Sequence, residues 1–213
     1  MRNALALVSV VLGMVGSFAV VSYAADTRES ERMLDQATRL EVTEPDSSAR
    51  MDLSKQSLSK AVAAKLLPAN ARSLLRVRTK LRHGEYIWND EGVPAGNISV
   101  FVDIRRQMIS VFRGGHEIGT AVVVYGGEGH ESPIGKFPIR SKYRDYHSRT
   151  YDAAMPHSMF LTNDGVAIHG NVMAAYRATK GCIGLPPEFA KLLFSVAHKG
   201  DIVEIAHSVE PGA

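Results

Sequence analysis

The sequence predicts a mainly β domain with a few helices, preceded by a helical and flexible stalk. Three observations lead there. Beyond residue 84 the chain consists of short runs rich in β-branched and aromatic residues, "NISVFVDI" (97–104), "MISVF" (108–112) and "EIGTAVVVY" (117–125), the last two joined by an "RGG" turn. "SMFL" (158–161) and "VAIH" (166–169) flank Asn163-Asp164-Gly165, a strong hairpin signal. One stretch near the end has helical periodicity, with Phe189, Leu192, Leu193 and Val196 on one face.

Length and composition set the outer limits. The 213 residues suffice for one ordinary domain with appendages. Hydrophobic residues make up 45% and charged residues 22%, so a core of useful size is possible. The 25 basic and 22 acidic residues leave a net charge of +3, and no basic run carries interleaved aromatics. Nucleic acid is therefore not an expected partner.

Taken in order, residues 1–25 open with Arg2 and run without a charge from Ala4 to Ala25, with small residues at Ala24 and Ala25. This reads as a signal peptide or, because the apolar run is long enough to span a bilayer, as an N-terminal membrane anchor. Both readings place the rest of the chain in the periplasm or cell envelope, with the inner membrane met only through the anchor. Residues 26–84 read as the stalk. "TRESERMLDQATRLEV" (27–42) is charged and helix-prone, and "TEPDSSARMDLSKQS" (43–57) is polar and turn-rich. "LSKAVAAKLL" (58–67) stops before Pro68, and "NARSLLRVRTKLRH" (70–83) offers a second helical pattern ending at Gly84. Residues 85–207 form the β domain. Its helix starts at "PPEF" (186–189), where proline suits the first turn, and runs to Gly200. "DIVEI" (201–205) closes it as a strand, and 208–213 are a tail.

Cys182 is the sole cysteine, so it cannot pair within its own chain. In an exported protein an odd cysteine points to a reactive thiol or an intermolecular bridge, against the alternative of an inert buried side chain. Its surroundings favour reactivity. Gly181 lets the backbone turn tightly and face N–H groups towards a substrate oxygen. His169, at the end of a strand and just before Gly170, is a candidate base on rigid backbone. A thiol is mostly protonated at neutral pH, and an imidazole can take its proton to leave a thiolate–imidazolium pair.

Four blocks then occur in order: "SPIGKFPI" (132–139), "MPHSMFL" (155–161), "VAIHG" (166–170) and "TKGCIGLP" (179–186). Their order and spacing resemble the L,D-transpeptidase catalytic domain (YkuD type), over about residues 97–206. The resemblance implies an L,D-transpeptidase-like β-sandwich and a cysteine acyl-enzyme formed on peptidoglycan stem peptides in the cell envelope. It assigns the nucleophile to Cys182, the base to His169 and the imidazole-orienting carbonyl to Gly170. Thr179 occupies a position where the family commonly has Ser or Thr. With Gly181, Lys180 and His157, it completes the residues expected around the oxyanion and substrate.

Two positions depart from the family pattern. Lys180 stands where histidine often precedes the Gly-Cys pair, and Gly184 where Arg or Asn often follows two residues after the cysteine. Lys180 can lend positive charge to a developing oxyanion or be a solvated loop lysine. Gly184 removes a side-chain clamp, for which Arg177 is the nearby candidate to compensate. Other motifs lead nowhere. "SLSK" (57–60) matches Ser-x-x-Lys but lacks a Lys-Thr-Gly companion, and "GGEGHESPIG" (126–135) lacks the ending of a phosphate loop. His130, His147 and His157 fit no zinc spacing, so neither a metal nor another cofactor is expected.

The function expected is peptidoglycan L,D-transpeptidation. Cys182 would attack a tetrapeptide stem and pass the acyl group to an amine, giving a cross-link or a wall-attached protein. With water as acceptor the same chemistry gives an L,D-carboxypeptidase or endopeptidase. A reading of another class is a weakly active wall-binding scaffold. β-Lactams of the penem class are the expected inhibitors.

Overall fold

The fold, taken from a computed structural model, is described over residues 50–173 and 178–209. The N-terminal segment 1–25, the helix-prone run 27–42, Arg177 and the last tail residues lie outside the described residues. In chain order the elements are β1 (Arg50–Asp52), α1 (Lys55–Ala63), β2 (Ser73–Leu75), β3 (Tyr86–Trp88), β4 (Ile98–Asp103), β5 (Met108–Arg113) and β6 (His116–Val122). There follow β7 (Gly135–Pro138), β8 (Ser141–Ser148), β9 (Ala153–Phe160), β10 (Ala167–Gly170), β11 (Ile183–Leu185), α2 (Pro187–Val196) and β12 (Ile202–Ala206).

The β-branched runs form the centre of the larger sheet, whose order is β1-β2-β6-β5-β4-β12-β7, with β3 also paired to β6. β4, β5 and β6 are an antiparallel meander, in which Val100 faces Val111 and Val102 faces Ile109. β12 lies parallel to β4 and antiparallel to β7. The smaller sheet has the order β11-β10-β9-β8. Both sheets and α2 contribute to one core, including Val102, Ile109, Ile118, Ile168, Leu185 and Phe189. Each such side chain adds about 1.5–3 kcal/mol of burial free energy. The periodic face of the helix supplies Phe189 and Leu193, both fully buried.

The expected stalk is corrected from Arg50 onward. β1 pairs antiparallel with β2, and β2 pairs parallel with β6, so this segment extends the large sheet. Leu53, Leu58, Leu67 and Leu74 pack on a second cluster formed by Ala71, Phe101, Phe112 and Ala206. The helical pattern over 70–83 contains β2 instead. Glu117, buried on β6, accepts the Leu75 N–H at 2.8 Å, and the Arg50 guanidinium donates to the Glu117 and Asn89 carbonyls. These partners are distant in sequence and override local helix propensity.

The helix that was expected to reach Gly200 ends at Val196. Lys142 Nζ donates to the Phe194 carbonyl at 2.7 Å and also to that of Ala197, placing a cation on the helix C-terminus. The strand expected at 158–161 belongs to a longer antiparallel pair, β8–β9, which runs from Ser141↔Phe160 to Ser148↔Ala153. Most of β8 is exposed or half-buried, so its sequence has no apolar alternation to betray it.

Candidate active site

Asn163-Asp164-Gly165 turns the chain from β9 into β10 as the sequence predicts, and β10 pairs parallel with β11. In that register His169 lies opposite Gly184, and Cys182 immediately precedes β11. The segment that follows β6 is tied to β11 and to the cysteine loop by isolated bridges from Val124 to Gly184 and from Gly126 to Thr179. Cys182 therefore sits on a loop fixed at both ends by backbone hydrogen bonds.

His169 is 6% exposed, and its Nδ1 is 2.8 Å from the Gly170 carbonyl oxygen. A carbonyl only accepts, so Nδ1 carries the hydrogen and Nε2 of the neutral ring keeps its lone pair. Burial pulls the imidazole below its ordinary range, and the Gly170 hydrogen bond opposes this more weakly. Burial also pushes the Cys182 thiol up, and a backbone hydrogen bond from Ala167 works in the other direction. Both shifts are in the direction that burial gives, towards the uncharged forms of the two groups. In keeping with a protonated thiol, Sγ lies 3.8 Å from the Gly165 carbonyl oxygen in donor geometry.

His169 and Cys182 line one cavity of about 160 Å3, together with Met155, Asn171, Thr179 and Lys180. Cys182 also lines a second cavity of about 300 Å3, between Tyr146, Tyr151, Asp164 and Lys180. The thiol is thus accessible from two spaces, with Tyr151, Met155 and Lys180 common to both.

The other expected residues divide into two groups. Thr179 Oγ1 donates to the Cys182 carbonyl at 2.5 Å, and Gly181 has φ +101, a conformation that glycine adopts without strain. Lys180 is exposed at the mouth of both cavities. His157 is not brought to the thiol. It has φ +57, lines neither cavity, and packs edge-on against Phe194 of α2 with ring centroids 5.4 Å apart. His157 therefore stands apart from the two cavities at the thiol, with its ring packed on the helix.

Gly184 has a steric explanation. A Cβ there would lie 2.6 Å from Val124 Cγ2 and 3.0 Å from both Asn171 Cβ and Nδ2. The space a larger residue would take is filled by Val124 and Asn171. Asn171 was not singled out in the sequence, although it adjoins the "AIHG" run and shares the cavity with His169. Tyr146, on β8, and Tyr151, in the turn between β8 and β9, were missed because this stretch has no apolar alternation. Of the excluded histidines, His147 is engaged with Asp152 at 2.8 Å.

The architecture has counterparts among solved structures. An L,D-transpeptidase from Stackebrandtia nassauensis is similar with a TM-score of 0.50 and 24% identity, over 56% of this chain and 60% of that one. L,D-transpeptidase 1 from Mycobacterium tuberculosis gives 0.44 and 25%, over 51% and 60%. L,D-transpeptidase 3 from the same organism, in complex with a faropenem-derived adduct, gives 0.47 and 17%, over 52% and 60%. The chain therefore spans about 60% of the length of these proteins. No curated protein sequence matches significantly. The model of the L,D-transpeptidase catalytic domain, YkuD, matches residues 97–205, just over half of the chain and the stretch that carries β4 to β12 with Cys182 and His169. The chain belongs to the L,D-transpeptidase catalytic-domain family.

Proposed function

We propose that the protein is an exported peptidoglycan L,D-transpeptidase that works through a Cys182 acyl-enzyme. The observation that carries this reading is the pairing of His169 with the Gly170 carbonyl, which leaves Nε2 as the proton acceptor in the cavity that Cys182 lines. Sγ attacks the carbonyl carbon of the L,D-peptide bond in a tetrapeptide stem while Nε2 takes the thiol proton. Backbone N–H groups around Gly181 and Cys182 receive the oxyanion. The C–N bond breaks, His169 returns the proton to the departing D-alanine amine, and a thioester remains on Cys182. An acceptor amine then attacks the thioester, His169 takes a proton from the amine and returns it to Sγ as the C–S bond breaks, and the new amide is released with the thiol restored.

Two cavities meeting at the thiol supply separate room for a donor stem and an amine acceptor. On this reading the domain works in the cell envelope, reached through residues 1–25 as signal peptide or anchor, and a penem would acylate the same thiol. The test is incubation with disaccharide tetrapeptides followed by mass analysis. Release of D-alanine with formation of a cross-linked dimer is the expected result. Tripeptide products without a dimer would make water the acceptor, and unchanged tetrapeptide would remove the activity.

A further inference from the structure

Ser132 belongs to the "SPIGKFPI" run, about fifty residues before the cysteine. The residue is buried, with 7% of its surface exposed. Ser132 Oγ donates to the Gly181 carbonyl at 2.9 Å and accepts the Gly126 N–H at 3.0 Å. A buried hydroxyl with both functions used is held in one orientation. The loop that presents it is itself tightly closed. A Cβ on Gly126 would fall 1.9 Å from the His130 carbonyl oxygen, and the His130 N–H donates to the Gly127 carbonyl at 2.9 Å. The same loop is stitched to the cysteine segment, since Thr179 N–H donates to Tyr125 O at 2.8 Å and Gly127 N–H to Thr179 O at 3.2 Å.

The consequence lies in the peptide plane. In a trans peptide the carbonyl and the following N–H point in opposite directions. Holding Gly181 O towards Ser132 therefore turns the Cys182 N–H away from Ser132. Thr179 does the same one residue later: by binding the Cys182 carbonyl at 2.5 Å it fixes the direction of the Ile183 N–H. Gly181, at φ +101, has no side-chain preference that would fix its own plane. The tether has to come from outside, and Ser132 provides it.

From this arrangement we infer that Ser132 is a positioning residue for acyl transfer, which orients the Cys182 N–H as an oxyanion donor by holding the Gly181 carbonyl. It rests on the acyl-enzyme reading above and adds a determinant from a distant loop. Ser132 acts through the peptide group and touches no reacting atom. Its loss should slow a step that builds negative charge on oxygen and spare a step that does not.

The experiment compares the parent with Ser132→Ala and Ser132→Thr in three measurements, with a melting curve for each protein. The first is the second-order rate of acylation by a penem. The second is the rate with a small aromatic disulfide, whose reaction with Cys182 forms no oxyanion. The third is amide hydrogen exchange over residues 181–183. Ser132→Ala should acylate at least about 10-fold more slowly, a part of the loss seen when an oxyanion donor is deleted outright. Its disulfide rate should stay at the parent value, exchange at 181–183 should quicken, and Ser132→Thr should recover most of the acylation. Unchanged acylation, or an equal fall in both chemical rates, would overturn the inference. If the alanine protein does not fold, Ser132→Cys, with a weaker hydrogen-bonding group of similar size, takes its place against Ser132→Thr. If the parent itself is not acylated, the acyl-enzyme reading fails, and exchange alone then decides whether Ser132 orders this segment.

Discussion

His169 Nδ1 donates to the carbonyl of the very next residue, Gly170, at 2.8 Å, so the imidazole and the carbonyl that holds it lie in one dipeptide at the end of β10. No acidic side chain is needed to fix the tautomer. The ring is held by strand backbone, and its remaining nitrogen is committed to accepting a proton. Exchanging His169 for alanine should slow penem acylation by about 10² to 10⁴, the usual scale of general acid–base help. The rate should recover partly at high pH, where the thiol ionises unaided. Acylation at the parent rate near neutral pH would transfer the role to another group.

The same burial has a sign that can be checked against pH. Burial lowers the His169 pKa in the folded protein, so between its ordinary value and the lowered one the unfolded chain binds more protons. The stability present above the ordinary histidine range is therefore lost progressively as pH falls from that range through the folded value. Melting temperatures of the parent and His169→Asn should converge or cross on acidification over this window. For Cys182 the folded pKa is raised, so stability is lost as pH rises from the ordinary cysteine range towards the folded value. Parallel melting curves for parent and His169→Asn from neutral to acid pH would contradict the burial argument.

Gly184 tests the steric account. With a Cβ at 2.6 Å from Val124 Cγ2 in a buried strand, Gly184→Ala should cost about 1–3 kcal/mol by denaturant unfolding, the range for overpacking. Combining it with Val124→Ala should cost less than the sum of the two single changes, because the second removes the obstructing methyl group. Strict additivity would mean that Val124 is not what fills the site.

Lys180 is exposed at the mouth of both cavities, so solvent screens its charge. Lys180→Met should lower penem acylation by about threefold to tenfold, well below the loss of a backbone oxyanion donor. Lys180→His should retain more activity than Lys180→Met. Equal rates in all three proteins would make Lys180 a solvated loop residue.

What the sequence made legible follows from how local each feature is. Strands β4, β5 and β6 were readable because valine, isoleucine and phenylalanine recur between turns, and Cys182 and His169 were readable as a lone thiol and an imidazole set in ordered motifs. β2 was not, because "SLLRV" fits a helix until Glu117 and the edge of β6 are brought beside it. Ser132 and Asn171 belong to or adjoin quoted motifs, but their importance depends on Gly181 and Gly184, which only the folded chain places next to them. His157 shows the converse: its motif suggests the groove, while the ring contact with Phe194 was not legible from the motif.

The domain boundary is open to the same kind of test. A chain starting at Ser48 should melt as the full protein does, whereas one starting at Glu85 loses β1, α1 and β2 and uncovers Phe101 and Phe112. Uncovering two large aromatic side chains should cost several kcal/mol, at about 1.5–3 kcal/mol each. Equal melting temperatures for the two proteins would return residues 50–84 to the status of a stalk.

The most direct test of the central claim is intact-mass measurement after incubation with a penem, on the parent and on Cys182→Ala, with a melting curve for both. The account predicts one covalent adduct on the parent, mapped to Cys182, none on the variant, and closely similar melting temperatures. A parent that stays unmodified, or a variant that still gains the adduct, would contradict it.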